Sequence, residues 1–96
     1  MIRLKHFGNG ECESIHGCFR KFGQELDMPE QAALDMLLAG GGLLTVEQFA
    51  SCEFTPLEKT NRHERKGPAY MERHQKALRL RLELIEQLTA AVNEAV

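Results

Sequence analysis

The chain has 96 residues, 43% apolar and 27% charged, with a formal net charge of −2; these are values of a folded globular domain and exclude a disordered or fibrous chain. A chain of this size buries roughly 60–70% of the surface its unfolded form exposes, enough for one domain over 1–96 but too little for an enclosed catalytic cleft. Its longest apolar run is far below the ~20 residues of a membrane span, and no signal-type stretch follows Met1, so a soluble protein of the cytoplasm is expected.

Residues 2–7 are compatible with a short strand, and Ser14 to Leu26 reads as a helix weakened by Gly17 and Gly23. Within this region His6, Cys12, His16 and Cys18 invite a zinc hypothesis. Five residues separate the two cysteines, and His16-Gly17-Cys18 is too cramped for an ordinary zinc finger, so no metal is expected. Together with Cys52 the cysteines are odd in number, which suits free thiols in a reducing compartment. A Cys–His nucleophile pair has no orienting third group or oxyanion hole beside it.

Asp27-Met28-Pro29-Glu30 has the form of a helix start, with an acid three residues before a Glu and Pro in the first turn. The helix expected over 28–39 carries Ala32, Ala33, Met36 and Leu37 on one face. Gly40-Gly41-Gly42 ends it and lacks the Lys-Ser/Thr of a phosphate loop. Thr45-Val46-Glu47-Gln48 and Thr55-Pro56-Leu57-Glu58 are two further capping boxes. The first opens a short helix with Phe49 and Cys52, the second a charged segment to about Arg65. After Gly67-Pro68 no Gly or Pro interrupts 69–96, which reads as one helix roughly 40 Å long. The expected fold is therefore all-α, with room for one short N-terminal strand: short capped helices over 1–66, then a long amphipathic helix over 69–96.

On that last helix Met71, Leu78, Ile85 and Val92 recur every seven residues. Leu82 flanks them on one side, and Ala77, Leu80, Leu84, Leu88, Ala91 and Ala95 on the other. The arc spans about 200° of the circumference, where one packed neighbour needs about 100°. Two other helices cover it, or part of it meets a partner or a second copy; His74 and Arg81 interrupt the arc, which favours a partner.

Charge is segregated along the chain: −4 over residues 1–54, +5 over 55–82 and −3 over 83–96. The basic stretch holds Lys59, Arg62, His63, Arg65, Lys66, Arg73, Lys76, Arg79 and Arg81. Such a cluster suits nucleic-acid phosphates, an acidic protein surface, or plain solvation. Thr45 to Lys66 mimics a helix-turn-helix, with Glu53-Phe54-Thr55 as the turn and Leu57 to Arg65 as the reading helix. Against this stand the overall acidity and a pI of about 6.1.

Gly67-Pro68-Ala69-Tyr70 standing before a long helix, with the 59–66 basic cluster upstream, resembles the lambdoid-phage anti-RecBCD accessory proteins. The resemblance implies a non-enzymatic protein without cofactor that docks on the RecC subunit of the host helicase-nuclease and favours phage recombination. It also implies that Pro68 meets a host cyclophilin-type prolyl isomerase. The expected partner-binding residues are Gly67, Pro68, Tyr70, Leu80, Arg81, Leu84 and Leu88. The basic patch of Lys59, Arg62, Arg65, Lys66, Arg73 and Lys76 would steer the encounter. The alternatives are a small DNA-binding regulator of helix-turn-helix type and a homodimeric assembly protein.

Overall fold

The first residues alternate, with Ile2, Leu4 and His6 on one side of an extended segment and the cations Arg3 and Lys5 on the other. In the computed structural model, whose described residues are 1–8 and 10–94, this segment is strand β1 (Ile2–His6), with Leu4 and His6 buried. Four strands follow it: β2 (Cys12–Ser14), β3 (Gly17–Phe19), β4 (Glu25–Met28) and β5 (Leu43–Thr45). β1 is the centre of an antiparallel sheet of order β4-β1-β5. Ile2 stands opposite Met28 on one side, and His6 opposite Leu43 on the other. β2 and β3 form a separate hairpin turning at Ile15 and His16. The all-α expectation is therefore wrong; the chain is mixed α and β with two antiparallel sheets.

Two local signals lost to tertiary pairing. Asp27 does not cap a helix. It sits across the sheet from Arg3, and its carboxylate accepts two hydrogen bonds from that guanidinium, at 2.9 and 3.0 Å. Lys5 and Glu25, also directly opposed, pair at 3.5 Å. Opposite charges facing each other across antiparallel strands stabilise the extended form. Helix α1 (Glu30–Ala39) consequently begins after Pro29, with no side-chain cap. Residues 14–26, expected as a helix, become a hairpin and a tight loop. Gly17, at φ +154°, closes the hairpin where a Cβ would be strained. The Gln24 side chain then gathers the loop, its Oε1 accepting from the main-chain N–H of Arg20 and Lys21 at 2.7 and 3.2 Å.

The two threonine boxes form. Thr45 and Gln48 exchange hydrogen bonds at the start of α2 (Val46–Ser51), as do Thr55 and Glu58 at the start of α3 (Pro56–Thr60). The segment after α3 is not a continuous helix to Arg65. Asn61 is extended, and its Oδ1 accepts from the His63 N–H at 2.9 Å to start a separate 3-10 turn, Arg62–Lys66. Helix α4 (Pro68–Glu94) completes the chain.

Leu43 and Leu44 are adjacent and point to opposite faces of the sheet, so each face carries its own core. On one face Leu4, Phe19, Met28, Leu37 and Leu43 pack with Leu84 and Leu88 of α4. On the other, Phe7, Leu44, Phe49 and Phe54 pack with Tyr70 and Ala77 of the same helix. At 27 residues α4 is about 40 Å long, close to the 43 Å long axis of the molecule. It crosses both cores, so 1–66 and 69–96 are not separable folding units. Ala95, which the periodicity assigns to the same arc, lies outside the described residues.

Candidate functional site

The helical period distributes α4 into three strips. Tyr70, Ala77, Leu84 and Leu88 fall on one side and are buried; Leu80, Ile85 and Val92 are partly buried at its margins. Met71, Leu78 and Leu82 retain 44%, 42% and 58% exposure. At 100° per residue these three lie within about 40° of one another. They form a narrow apolar shoulder beside the buried face, with exposed Gln75, Arg79 and Glu86 on its far side. The 200° arc is thus mostly covered by the chain itself, and this shoulder remains open.

The seven residues expected to bind a partner divide accordingly. Tyr70 is an anchor: its hydroxyl donates to the Phe7 carbonyl at 3.4 Å and lies 3.3 Å from His74 Nδ1. Leu84 and Leu88 belong to the core under the sheet, and Leu80 packs against the aromatic core. Arg81 is half-buried, and its Nη2 donates to the Leu37 carbonyl at 2.6 Å, closing the end of α1 onto α4. The large apolar side chains that α4 leaves open are therefore Met71, Leu78 and Leu82, and not Tyr70, Leu84 and Leu88. The same seven-residue spacing pointed to Met71 and Leu78, but not to which edge of the arc stays open.

Gly67 and Pro68 stand at the helix entrance. The peptide between them is trans, Pro68 is exposed, and Gly67 is half-buried. The Gly67 carbonyl accepts from the Met71 N–H at 3.0 Å, the first bond of the helix. Pro68 thus occupies the first helical position, where its missing N–H is harmless.

The basic patch separates into two groups. Arg73 turns inward and binds Glu58, whose carboxylate is buried, through two hydrogen bonds. Lys76 Nζ donates to the Ser51 carbonyl at 2.8 Å. Both residues line a groove of about 490 Å³ with Arg79, Glu53 and Glu72, so cations and carboxylates are mixed there, and Arg73 is already matched by Glu58. Lys59, Arg62 and Arg65 instead line a second pocket, of about 360 Å³, with Arg20, Lys21, Phe22, Gly8 and Thr60. Lys66 is exposed and lines neither. Arg20 and Lys21 come from the β3–β4 loop, roughly forty positions away in the chain, and only the tertiary fold joins them to the patch.

The helix-turn-helix geometry does not form. The segment expected to read DNA is a five-residue helix followed by a 3-10 turn, and it buries Glu58 and Arg65, leaving no continuous helix to lay in a major groove. His6, Cys12, His16 and Cys18 are each engaged locally. His6 Nδ1 donates to the Lys21 carbonyl at 3.1 Å, the Cys12 thiol to Gly40 at 3.2 Å, His16 meets Asp35 at 3.1 Å, and Cys18 Sγ accepts from Arg20 Nε at 3.4 Å. Burial pushes the Cys12 thiol up and the His6 imidazole down, the reverse of what a thiolate or protonated-imidazole chemistry uses. Among the described residues no group of three His, Cys, Asp or Glu side chains gathers as a metal site, and no helix is long and apolar enough to cross a membrane.

No protein-family model, curated protein or solved structure matches this chain.

Proposed function

We propose that the chain is a non-enzymatic protein that docks on a host DNA-processing enzyme and modulates it, the helicase-nuclease RecBCD through its RecC subunit, in the bacterial cytoplasm. The observation that carries the docking mode is the apolar shoulder of Met71, Leu78 and Leu82, which the chain leaves open on a helix whose other large apolar side chains it covers wholly or in part. Three large apolar side chains in one strip with a polar margin have the anatomy of an interface centre. The choice of RecC comes from the resemblance of Gly67–Tyr70 and its surroundings, not from this geometry.

Purified RecBCD provides the test. The full chain should bind it and change its nuclease activity, and Leu78→Asp/Leu82→Asp should weaken binding at least about tenfold. Binding that survives the double substitution unchanged would move docking elsewhere, and no binding to RecBCD would remove the partner. Engagement of Pro68 by a cyclophilin-type isomerase belongs to the same reading. It requires the first turn of α4 to open, because the Gly67 carbonyl is held by Met71. Pro68→Ala should abolish isomerase capture while leaving RecBCD binding intact.

The second reading is a homodimer. Met71, Leu78, Leu82 and Ile85 follow coiled-coil spacings of seven, four and three, so a second copy could cover the shoulder. Light scattering at micromolar concentration separates the two, since a stable dimer lost in the double variant supports self-assembly.

A further inference from the structure

The pocket between the β3–β4 loop, α3 and the 3-10 turn concentrates positive charge in a chain that is negative overall. Arg20, Lys21, Lys59, Arg62 and Arg65 line it, and no acidic side chain does. Among the described residues none of the five has a carboxylate within ion-pair distance; the ion pairs of the chain lie elsewhere. A concave surface with one sign of charge focuses its field on a counter-ion.

Two features show that the pocket is built and not merely a gathering of mobile side chains. Arg65 is only 9% exposed. Its guanidinium lies 4.8 Å over the Phe22 ring, and Nη1 donates to the Glu58 carbonyl at 3.3 Å. Its Nε, also buried, has no partner in the protein. A buried guanidinium N–H left unmatched is costly unless an acceptor arrives. The loop carrying Arg20 and Lys21 is itself fixed: Gln24 holds both main-chain N–H groups, its Nε2 donates to the Cys18 carbonyl at 3.0 Å, and Gly23 N–H donates to the His6 carbonyl at 2.7 Å. The Arg65 side chain and the main chain that carries Arg20 and Lys21 are therefore in place before a ligand arrives.

We propose that this pocket binds the phosphate backbone of a nucleic-acid strand. Three of the five cations are arginines, whose planar fork suits phosphate oxygens. Five cations exceed what one carboxylate or one free phosphate needs, whereas successive phosphodiesters of a strand supply several anions. Recognition is of the backbone and not of the bases. Phe22 is already covered by Arg65 on one face and meets Phe49 and Phe54 at its edges, with centroids 5.6 and 5.2 Å away, so it offers no free platform for stacking. The site is separate from the α4 shoulder and does not depend on the docking partner proposed above.

The test uses the full chain and a fluorescent oligothymidylate followed by anisotropy at low salt. Lys59→Glu/Arg62→Glu should weaken binding at least tenfold and flatten the dependence of log K on log salt by about 1.4, two contacts at about 0.7 each on a single strand. Arg20→Gln/Lys21→Gln, milder for the fold, should weaken it in the same direction. Lys76→Glu/Arg79→Glu, in the groove of mixed charge, should leave it within twofold, as should Leu78→Asp/Leu82→Asp. No binding of the oligonucleotide by the wild-type chain overturns the proposal. Equal loss in the Lys76/Arg79 variant overturns it as well. Competition by inorganic phosphate or thymidine monophosphate as effective as the unlabelled strand identifies a small-phosphate site instead, and equal competition by polyglutamate reduces the pocket to an acidic-protein surface.

Discussion

Tyr70 illustrates how one side chain changes meaning once its surroundings are known. As the single tyrosine, beside Gly67-Pro68, it suggested a partner contact; in the fold it is buried and joins α4 to the end of β1 through the Phe7 carbonyl. Tyr70→Phe should cost about 1–2 kcal/mol by leaving that buried carbonyl short of a donor, and Tyr70→Ala about 3–5 kcal/mol through the cavity as well. Urea unfolding measures both, and a neutral Tyr70→Ala would refute the anchor. The buried ionisable groups give the chain a pH profile. Burial holds the His6 and His74 imidazoles below their ordinary value; for His6 the carbonyl of Lys21 opposes this and the Arg65 charge adds to it. The unfolded chain therefore binds protons first, so stability is complete above about pH 6.5 and declines as pH falls below it. Burial works to raise the Glu58 carboxyl, but Arg73 and Thr55 together outweigh it and hold it below the usual range. Its contribution is present above the unfolded value of about 4.3 and is lost as pH falls through the lower, folded one. Urea midpoints should thus fall in two stages on acidification. Glu58→Gln should shrink the second stage to what the Arg3-paired Asp27 carboxyl, also held below its ordinary value by that hydrogen bond, contributes, and a midpoint constant between about pH 7.5 and pH 5.5 would dispose of the first.

At the level of elements, legibility followed the range of the forces involved. The Thr45 and Thr55 boxes and the span of α4 depend on contacts three or four residues apart, and the sequence carries those directly. The sheet depends on partners twenty to forty residues apart. Its strands are three to five residues long; β1 alternates over five residues, β4 and β5 are too short to show a period, and Asp27 looked like a cap because its partner Arg3 is 24 residues away. A longer separation in sequence hid Arg20 and Lys21 from the basic patch, while Lys59 and Arg62 were visible as part of a local run. Gly40-Gly41-Gly42 is a further case, being more than a helix end. A Cβ on Gly42 would stand 2.7 Å from the Gly8 nitrogen and 3.0 Å from Phe7 Cδ2, because β5 enters the sheet directly against the end of β1. Gly42→Ala should destabilise by about 1–3 kcal/mol through overpacking, whereas Leu38→Ala, at an exposed position on α1, should change stability by less than about 0.5 kcal/mol. Paired thermal melts of the two variants check the contrast.

For the whole molecule, the question is whether two cores on opposite faces of one thin sheet behave as one cooperative unit. Nothing separates them except a three-stranded sheet, and α4 contributes Tyr70 and Ala77 to one and Leu84 and Leu88 to the other. A rigid helix shared in this way couples them, because unfolding either core frees the helix segment that the other requires. Leu88→Ala should therefore cost about 2–5 kcal/mol and should lower the stability of both cores equally, although Leu88 is five helical turns from Tyr70. The chain has one tyrosine and no tryptophan, so tyrosine fluorescence reports the aromatic core alone, and far-ultraviolet circular dichroism reports the whole. In Leu88→Ala the two signals should move together to a single lower urea midpoint, as a two-state domain of this size does. A tyrosine transition left at its wild-type midpoint while the dichroism shifts would mean that the cores unfold separately. α4 would then be a helix resting on two independent supports, and docking on its exposed shoulder would be felt by only one of them.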